Sequence, residues 1–285
     1  MEEVDAELAR RQVPLPARTF AAYLSIASRW LSVPQGDWPA QGPYCLANIS
    51  GTIQEWYTER YGDECVDKGR RVRRPVMIRG AVYWLEVPYV LSAEHPPPAT
   101  DCIPGLTVNL RNALTRKARD ELQRQLCCFY GQTLLLRCLW VRIITGVAHG
   151  LADQLLVRGS EDLEHATAAF DGSAPSAILF PCQQATEKFL KAALVLADAE
   201  ITEQTLKSRY GHNIGKLMEA VQAEGLLGSE SRPHAMLLAS TSETRYGNIQ
   251  LSPAEAIEAL NSAWAVCYDV GQRLLREHYR KSAQA

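Results

Sequence analysis

Gln184, Glu187, Lys188 and Lys191 stand three or four residues apart, so on a helix they form one stripe. Such a stripe can line a cleft together with His212 and Arg245; a solvated helix face accounts for Lys188 and Lys191 equally well. His212 follows Gly211 at the expected start of a helix. Its ring can contact a ligand or phosphate at the helix N-terminus, or it can pack in a bundle and bond Glu187 or Gln184. A second concentration of chemistry is Lys68 to Arg79. Lys68, Arg70, Arg71, Arg73, Arg74 and Arg79 are six basic residues in twelve, with no acid among them. On a strand edge they can grip a phosphate backbone, although the same charges also protect an edge from unwanted pairing.

Other chemistry is missing from the pattern. There is no P-loop, no GxGxxG, no zinc signature and no nucleophile elbow. The eight Cys form no C-x-x-C and none pairs with a His at zinc spacing. Several lie in apolar helical runs, where a thiol behaves as a small hydrophobe. No metal and no cofactor is expected.

The elements that must carry these residues are mostly helical. Residues 14–33 and 48–61 have helical apolar spacing. Val76-Met77-Ile78, a possible turn at Arg79-Gly80, and Ala81 to Val87 supply the one β signal. Helix returns from Leu114 to Val157, with Gly131, Gly146 and Gly150 as possible breaks. After Gly159 the texture is helical throughout. Ser160 is placed to cap a helix whose Leu163, Ala166 and Phe170 point inward. A second helix is expected over 174–197, kinked at Pro181. A third covers 212–223 with Ile214, Leu217, Met218 and Val221 inward, and a short fourth starts near Pro233. Ser252-Pro253-Ala254-Glu255 is a capping box opening the last helix. The fold class is mainly α: a C-terminal antiparallel helical bundle after an N-terminal α-rich domain with a small β-hairpin.

Composition agrees with this. The chain has 285 residues, 47% apolar and 22% charged, which excludes a wholly disordered chain, a collagen and a coiled-coil rod and favours two domains. Residues 1–158 carry 19 Lys/Arg against 16 Asp/Glu, and residues 159–285 carry 11 against 16, giving +3 and −5. The acidic N-terminus lacks the apolar segment of a signal peptide. No stretch approaches a membrane span, so a reducing cytoplasm is the expected location.

Residues 160–278 resemble the HEPN domain family. Ser160 to Phe170, then Ala177-Ile-Leu-Phe-Pro-Cys-Gln-Gln-Ala-Thr-Glu-Lys-Phe-Leu-Lys-Ala-Ala-Leu-Val, are similar to its first two helices. Gly211-His-Asn-Ile-Gly-Lys-Leu resembles the His-containing start of its third helix. Ser242-Glu-Thr-Arg-Tyr-Gly-Asn resembles its Arg-Tyr turn, and Ser252 to Leu275 its closing helix. Residues 1–150 form an unassigned α+β domain, and 160–280 the bundle. The resemblance implies a domain that often dimerises and acts in RNA cleavage, in toxin–antitoxin or phage-defence systems, or as a nucleotide- or RNA-binding accessory. Arg245, in the Arg-Tyr turn, can bind phosphate or bridge a bundle carboxylate.

Catalytic members of that family are similar in carrying Arg-x4–6-His, in which His exchanges protons and Arg holds the phosphate of RNA without a metal. Arg142/His149, Arg158/His165 and Arg273/His278 have this spacing. With 23 Arg in the chain, composition alone produces such matches. The first pair precedes the resembling region, the second straddles the expected helix start, and the third, at the chain's end, is the least poor. The expectation is therefore a non-catalytic or regulatory binding module for a nucleotide, RNA or protein partner, as a homodimer. The alternatives are a metal-independent endoribonuclease and a purely structural interaction protein.

Overall fold

The computed structural model describes residues 1–13, 15–30, 46–62, 71–88, 97–144, 150–170, 175–240 and 250–284. It is 75% helical, with eleven helices and one two-stranded sheet among those residues. This is the mainly α architecture with a small hairpin that the sequence leads one to expect. Two compact units emerge: Met1–Arg73, Leu85–Ala148 and Tyr279–Ala285 make the first, and Arg74–Trp84 with His149–His278 the second.

The first unit holds α1 (Glu2–Arg10), α2 (Leu15–Trp30), α3 (Leu46–Tyr61), α4 (Val108–Asn112) and α5 (Arg116–Ile144). Helix α1 is absent from the sequence reading because only Val4 and Leu8 give it an inward face. Both are buried, in a cluster with Tyr23, Ile53 and Tyr57. Its first turn carries Glu2, Glu3 and Asp5, which suits the positive end of a helix. Asp5 is also buried. It accepts from the Tyr61 hydroxyl and from Arg18 Nη1 at 3.5 Å, so this buried carboxylate has a countercharge. Burial and the adjacent Asp5 hold the Tyr57 hydroxyl well above its usual range.

The hairpin pairs β1 (Arg71–Ile78) with β2 (Ala81–Pro88). Arg79 and Gly80, at φ 51° and 79°, are both left-handed, as a two-residue primed turn requires.

The second unit contains α6 (Leu151–Ala169), α7 (Leu179–Ala197), α8 (Glu203–Arg209), α9 (Ile214–Ala223), α10 (Arg232–Ser240) and most of α11 (Pro253–Gln284). Three expectations need correction. Ser160 is not an N-cap: it lies inside α6, and its hydroxyl donates to Leu156 O at 2.8 Å. The helix begins after Gly150, whose N–H donates to Asp153 Oδ2 at 3.3 Å. Gly159 reads as helix entry in the sequence, yet a Cβ there would lie 2.8 Å from Phe189 Cδ2. It marks a close approach of α6 to α7, not a helix end. Pro181 does not interrupt α7, because it is the third helical residue, where the missing N–H has no intrahelical partner to lose. The segment before it is a 3-10 turn, Pro175–Ile178. Helix α8 is an addition; it is short and buries only Leu206.

The inward faces hold as read. Leu163, Ala166 and Phe170 are buried, as are Ile214, Leu217, Met218 and Val221. On α11, Ile257, Leu260, Trp264, Cys267 and Leu274 are buried as well. Cys182 and Cys267 are free and buried in the same core, and burial pushes both thiols up, so they stay protonated. Cys127 and Cys128, by contrast, are exposed on α5. No helix among the described residues is long and apolar enough to cross a membrane.

Candidate functional site

Helix α7 is amphipathic with a thin polar stripe. Phe189, Leu190, Ala192 and Ala193 are fully buried, which turns Gln184, Glu187, Lys188 and Lys191 toward one side. The stripe exists, but it is neither a simple solvated face nor a row of unused cations. Glu187 is 5% exposed and accepts from Lys191 Nζ at 2.7 Å across one helical turn. Lys188 pairs with Asp162 of α6, both side chains being largely covered. Gln184 is partly exposed beside them.

The loop between α8 and α9 then brings His212 to this stripe. Gly211, at φ 56°, turns the chain there, and the Asn213 side chain accepts from Lys216 N at 2.9 Å to cap α9. His212 Nδ1 lies 3.0 and 3.1 Å from the two Glu187 oxygens. The bond to Glu187 is therefore one of the two expected for this ring. The accompanying burial is not seen: the His212 side chain is 65% exposed. Most of the ring is exposed while a buried carboxylate holds its Nδ1. Lys188 and Lys191 are each matched to a carboxylate, so a phosphate at this stripe must compete with Asp162 and Glu187 for them. Arg245 lies outside the described residues.

The Arg–His pairs separate clearly. Arg273 is occupied with structure. Its Nε donates to Asp269 Oδ1 at 2.7 Å, Nη1 donates to Gly225 O at 3.4 Å, and Nη2 sits 3.7 Å from Glu230 Oε1. Asp269 also accepts from the Gly228 N–H at 2.6 Å. Arg273 thus ties α11 to the α9–α10 connection. His278 lies on α11, but its side chain is outside the described ones. Arg158 and His165 do not straddle a helix start. Both are exposed on the unbroken α6, seven residues apart and so on one face. The side chain of Arg142 and the whole of His149 are outside the described residues.

The basic run divides as well. Arg74 is buried, donates from Nε to Asn261 Oδ1 at 2.8 Å and stacks 6.0 Å from the Trp264 ring centroid. It is therefore turned into the second unit and not toward a phosphate backbone. Strand alternation explains this: Arg74, Val76 and Ile78 share the covered face, whereas Arg73 and the turn residue Arg79 are exposed. Lys68 and Arg70 lie outside the described residues, as does the side chain of Arg71. Trp84 packs edge-on to Phe170 at 5.8 Å, inside the same unit.

Several partners escape a reading by residue type. Asp162 looks like an N-terminal helix charge until α7 places Lys188 against it. Asp269 was legible, standing four residues before Arg273. The His234 Nδ1 contact with the buried Ser262 Oγ, at 2.9 Å, had no sequence signal because the two lie on different helices. No group of three His, Cys, Asp or Glu suited to a metal occurs among the described residues.

Residues 152–273 match the family model described as HEPN domain, and the remainder of the chain matches no family. The match starts before Ser160 because α6 does. No curated protein and no solved structure matched.

Proposed function

Since the C-terminal half of this chain carries a HEPN domain, we propose that it works as a non-catalytic, regulatory binding module rather than as a ribonuclease. HEPN domains are commonly nuclease or regulatory modules and often dimerise. One observation carries the choice. Arg273, the arginine of the least poor pair, spends its guanidinium on Asp269, Gly225 O and Glu230. A phosphate-gripping arginine must present unpaid donors to the developing charge, and two carboxylates beside it also repel an RNA backbone.

The ligand is a nucleotide, RNA or a protein partner, and the setting a bacterial defence or toxin–antitoxin type system, with the module acting as a homodimer. The binding surface is the α7 stripe of Gln184, Lys188 and Lys191 with His212, together with Arg245. Arg73 and Arg79 are the residues of the basic run best disposed for nucleic-acid contact, being exposed.

The test is incubation of the full chain with tRNA and total RNA in EDTA. We expect no cleavage. Cleavage lost in His278→Ala overturns the proposal in favour of a metal-independent endoribonuclease. A second reading has its own support: Arg158 and His165 share one exposed face of α6, so cleavage lost in His165→Ala but kept in His278→Ala assigns the activity there. If no RNA is cut, ATP and a short RNA are titrated. Binding weakened by Lys191→Ala or Arg245→Ala supports the module, and binding of neither leaves an interaction protein.

A further inference from the structure

His212 and Glu187 have an arrangement that binding alone does not require. The carboxylate is 5% exposed and the ring it holds is 65% exposed. Both Glu187 oxygens are within hydrogen-bond distance of Nδ1. A carboxylate can only accept, so Nδ1 carries the hydrogen, and in the neutral ring the lone pair is on Nε2, at the edge away from the buried carboxylate. This is how an imidazole is oriented as a nucleophile: a third group fixes the tautomer and the ring plane.

The surroundings suit an anionic reaction partner. From Gln204 to Met218 the chain contains Lys207, Arg209 and Lys216 and no acid. All three are exposed and flank His212 in sequence. This run stands out in a half of the chain that carries 11 basic against 16 acidic residues. Exposed cations three to five residues from His212 on either side, themselves bounded by Glu203 and Glu219, favour the approach of phosphate-bearing molecules to the exposed ring.

We propose that His212 is a phosphoryl-acceptor site, modified at Nε2 by a donor of the phosphoramidate or acyl-phosphate class, with Glu187 as its positioning residue. Nε2 attacks phosphorus and the Nε2–P bond forms. The bond from phosphorus to the donor's protonated leaving nitrogen or to its acyl oxygen breaks, and its electron pair departs with the leaving group, which leaves as a neutral amine or as a carboxylate. Nothing is oxidised or reduced. The ring acquires a positive charge, its Nδ1 proton stays in the bond to Glu187, and the carboxylate offsets that charge. The proposal goes beyond the binding module and does not depend on it, since the stripe can fail to bind ATP or RNA while His212 still reacts.

The experiment treats the full chain with phosphoramidate at neutral pH and follows acid-labile phosphorylation by tandem mass spectrometry and phosphorus NMR. His165, exposed on α6, is the internal reference. We expect His212 to be labelled about tenfold faster than His165, taking as a guide the lower end of what an outer-shell partner contributes behind a metal-bound histidine. Glu187→Gln, which keeps the acceptor oxygen but removes the charge, brings the two rates together, and His212→Asn removes the faster signal. Equal rates at His212 and His165 in the unmodified sequence overturn the proposal without recourse to any variant. A folded Glu187→Gln chain that keeps the full rate difference overturns the role of Glu187.

Discussion

Single residues in this protein are read best through what surrounds them. Gly159 and Gly51 both lie inside helices, where a glycine costs about 1 kcal/mol against alanine. A Cβ at Gly51 meets nothing within 4 Å, whereas at Gly159 it would sit 2.8 Å from Phe189 Cδ2 and 3.3 Å from Ala185 O. Phe189 is fully buried and its ring cannot swing aside, so overpacking of about 1–3 kcal/mol outweighs the helix-propensity gain. Gly51→Ala should therefore raise the midpoint of thermal unfolding and Gly159→Ala lower it. A Gly159→Ala chain as stable as Gly51→Ala would mean that α6 and α7 are not in contact there. The same dependence on surroundings separates the arginines. Arg73 and Arg74 are neighbours in sequence, yet one is exposed and the other buried on Asn261 and Trp264.

At the scale of elements, the ends of helices are fixed by local chemistry. Ser252 and Glu255 form the expected capping box on α11: Glu255 N donates to Ser252 Oγ at 3.3 Å and Ser252 N donates to Glu255 Oε2 at 2.8 Å. Those bonds hold the Glu255 carboxyl below its usual range, the Ser252 hydroxyl being the largest influence and the Ser252 N–H the next. A carboxyl lowered in the folded state stabilises above its unfolded pKa and loses that contribution as pH falls through the folded value. Ser252→Ala should lower stability by about 1 kcal/mol at neutral pH, the usual worth of a serine cap. The loss should shrink in acid, once Glu255 is protonated in both chains. Chemical denaturation at neutral pH and below pH about 4 measures both; a loss that grows in acid would contradict the cap. The beginnings of α6 and α7 show the limit of the same local rules. Gly159-Ser160 imitates a helix start and Pro181 imitates a break, and both impressions vanish once α6 starts at Leu151 and α7 at Leu179.

For the molecule as a whole, the instructive feature is that the second unit takes residues from far up the chain. Arg74–Trp84 group with His149–His278, and the contacts are specific: Arg74 on Asn261 and Trp264, Trp84 on Phe170. The family match over 152–273 does not include this hairpin. Arg74→Ala strips a buried hydrogen-bonded donor from Asn261, a loss of about 1–3 kcal/mol, and should lower the unfolding temperature of the bundle in the full chain. Arg73→Ala, from an exposed neighbour, should lower it less. Equal effects would show that the hairpin is not part of the bundle's core.

The amino-acid sequence alone determined the helical class, the capping box on α11, the hairpin turn at Arg79-Gly80 and the inward faces of the bundle helices. These follow from backbone preference and apolar periodicity, which act over a few residues. It also determined the polar stripe on α7 and the HEPN resemblance. Only the tertiary structure decided which charges are spent. Asp162 meets Lys188, Asp269 and Glu230 meet Arg273, and Glu187 meets both Lys191 and His212. Apart from the i,i+4 pairs, each of these joins residues on different elements, and a side chain's electrostatic partner depends on how helices pack rather than on its own type. The tertiary structure likewise decided that His212 keeps its ring in solvent while the carboxylate holding it is buried, because burial is a property of the assembled bundle and of no single segment.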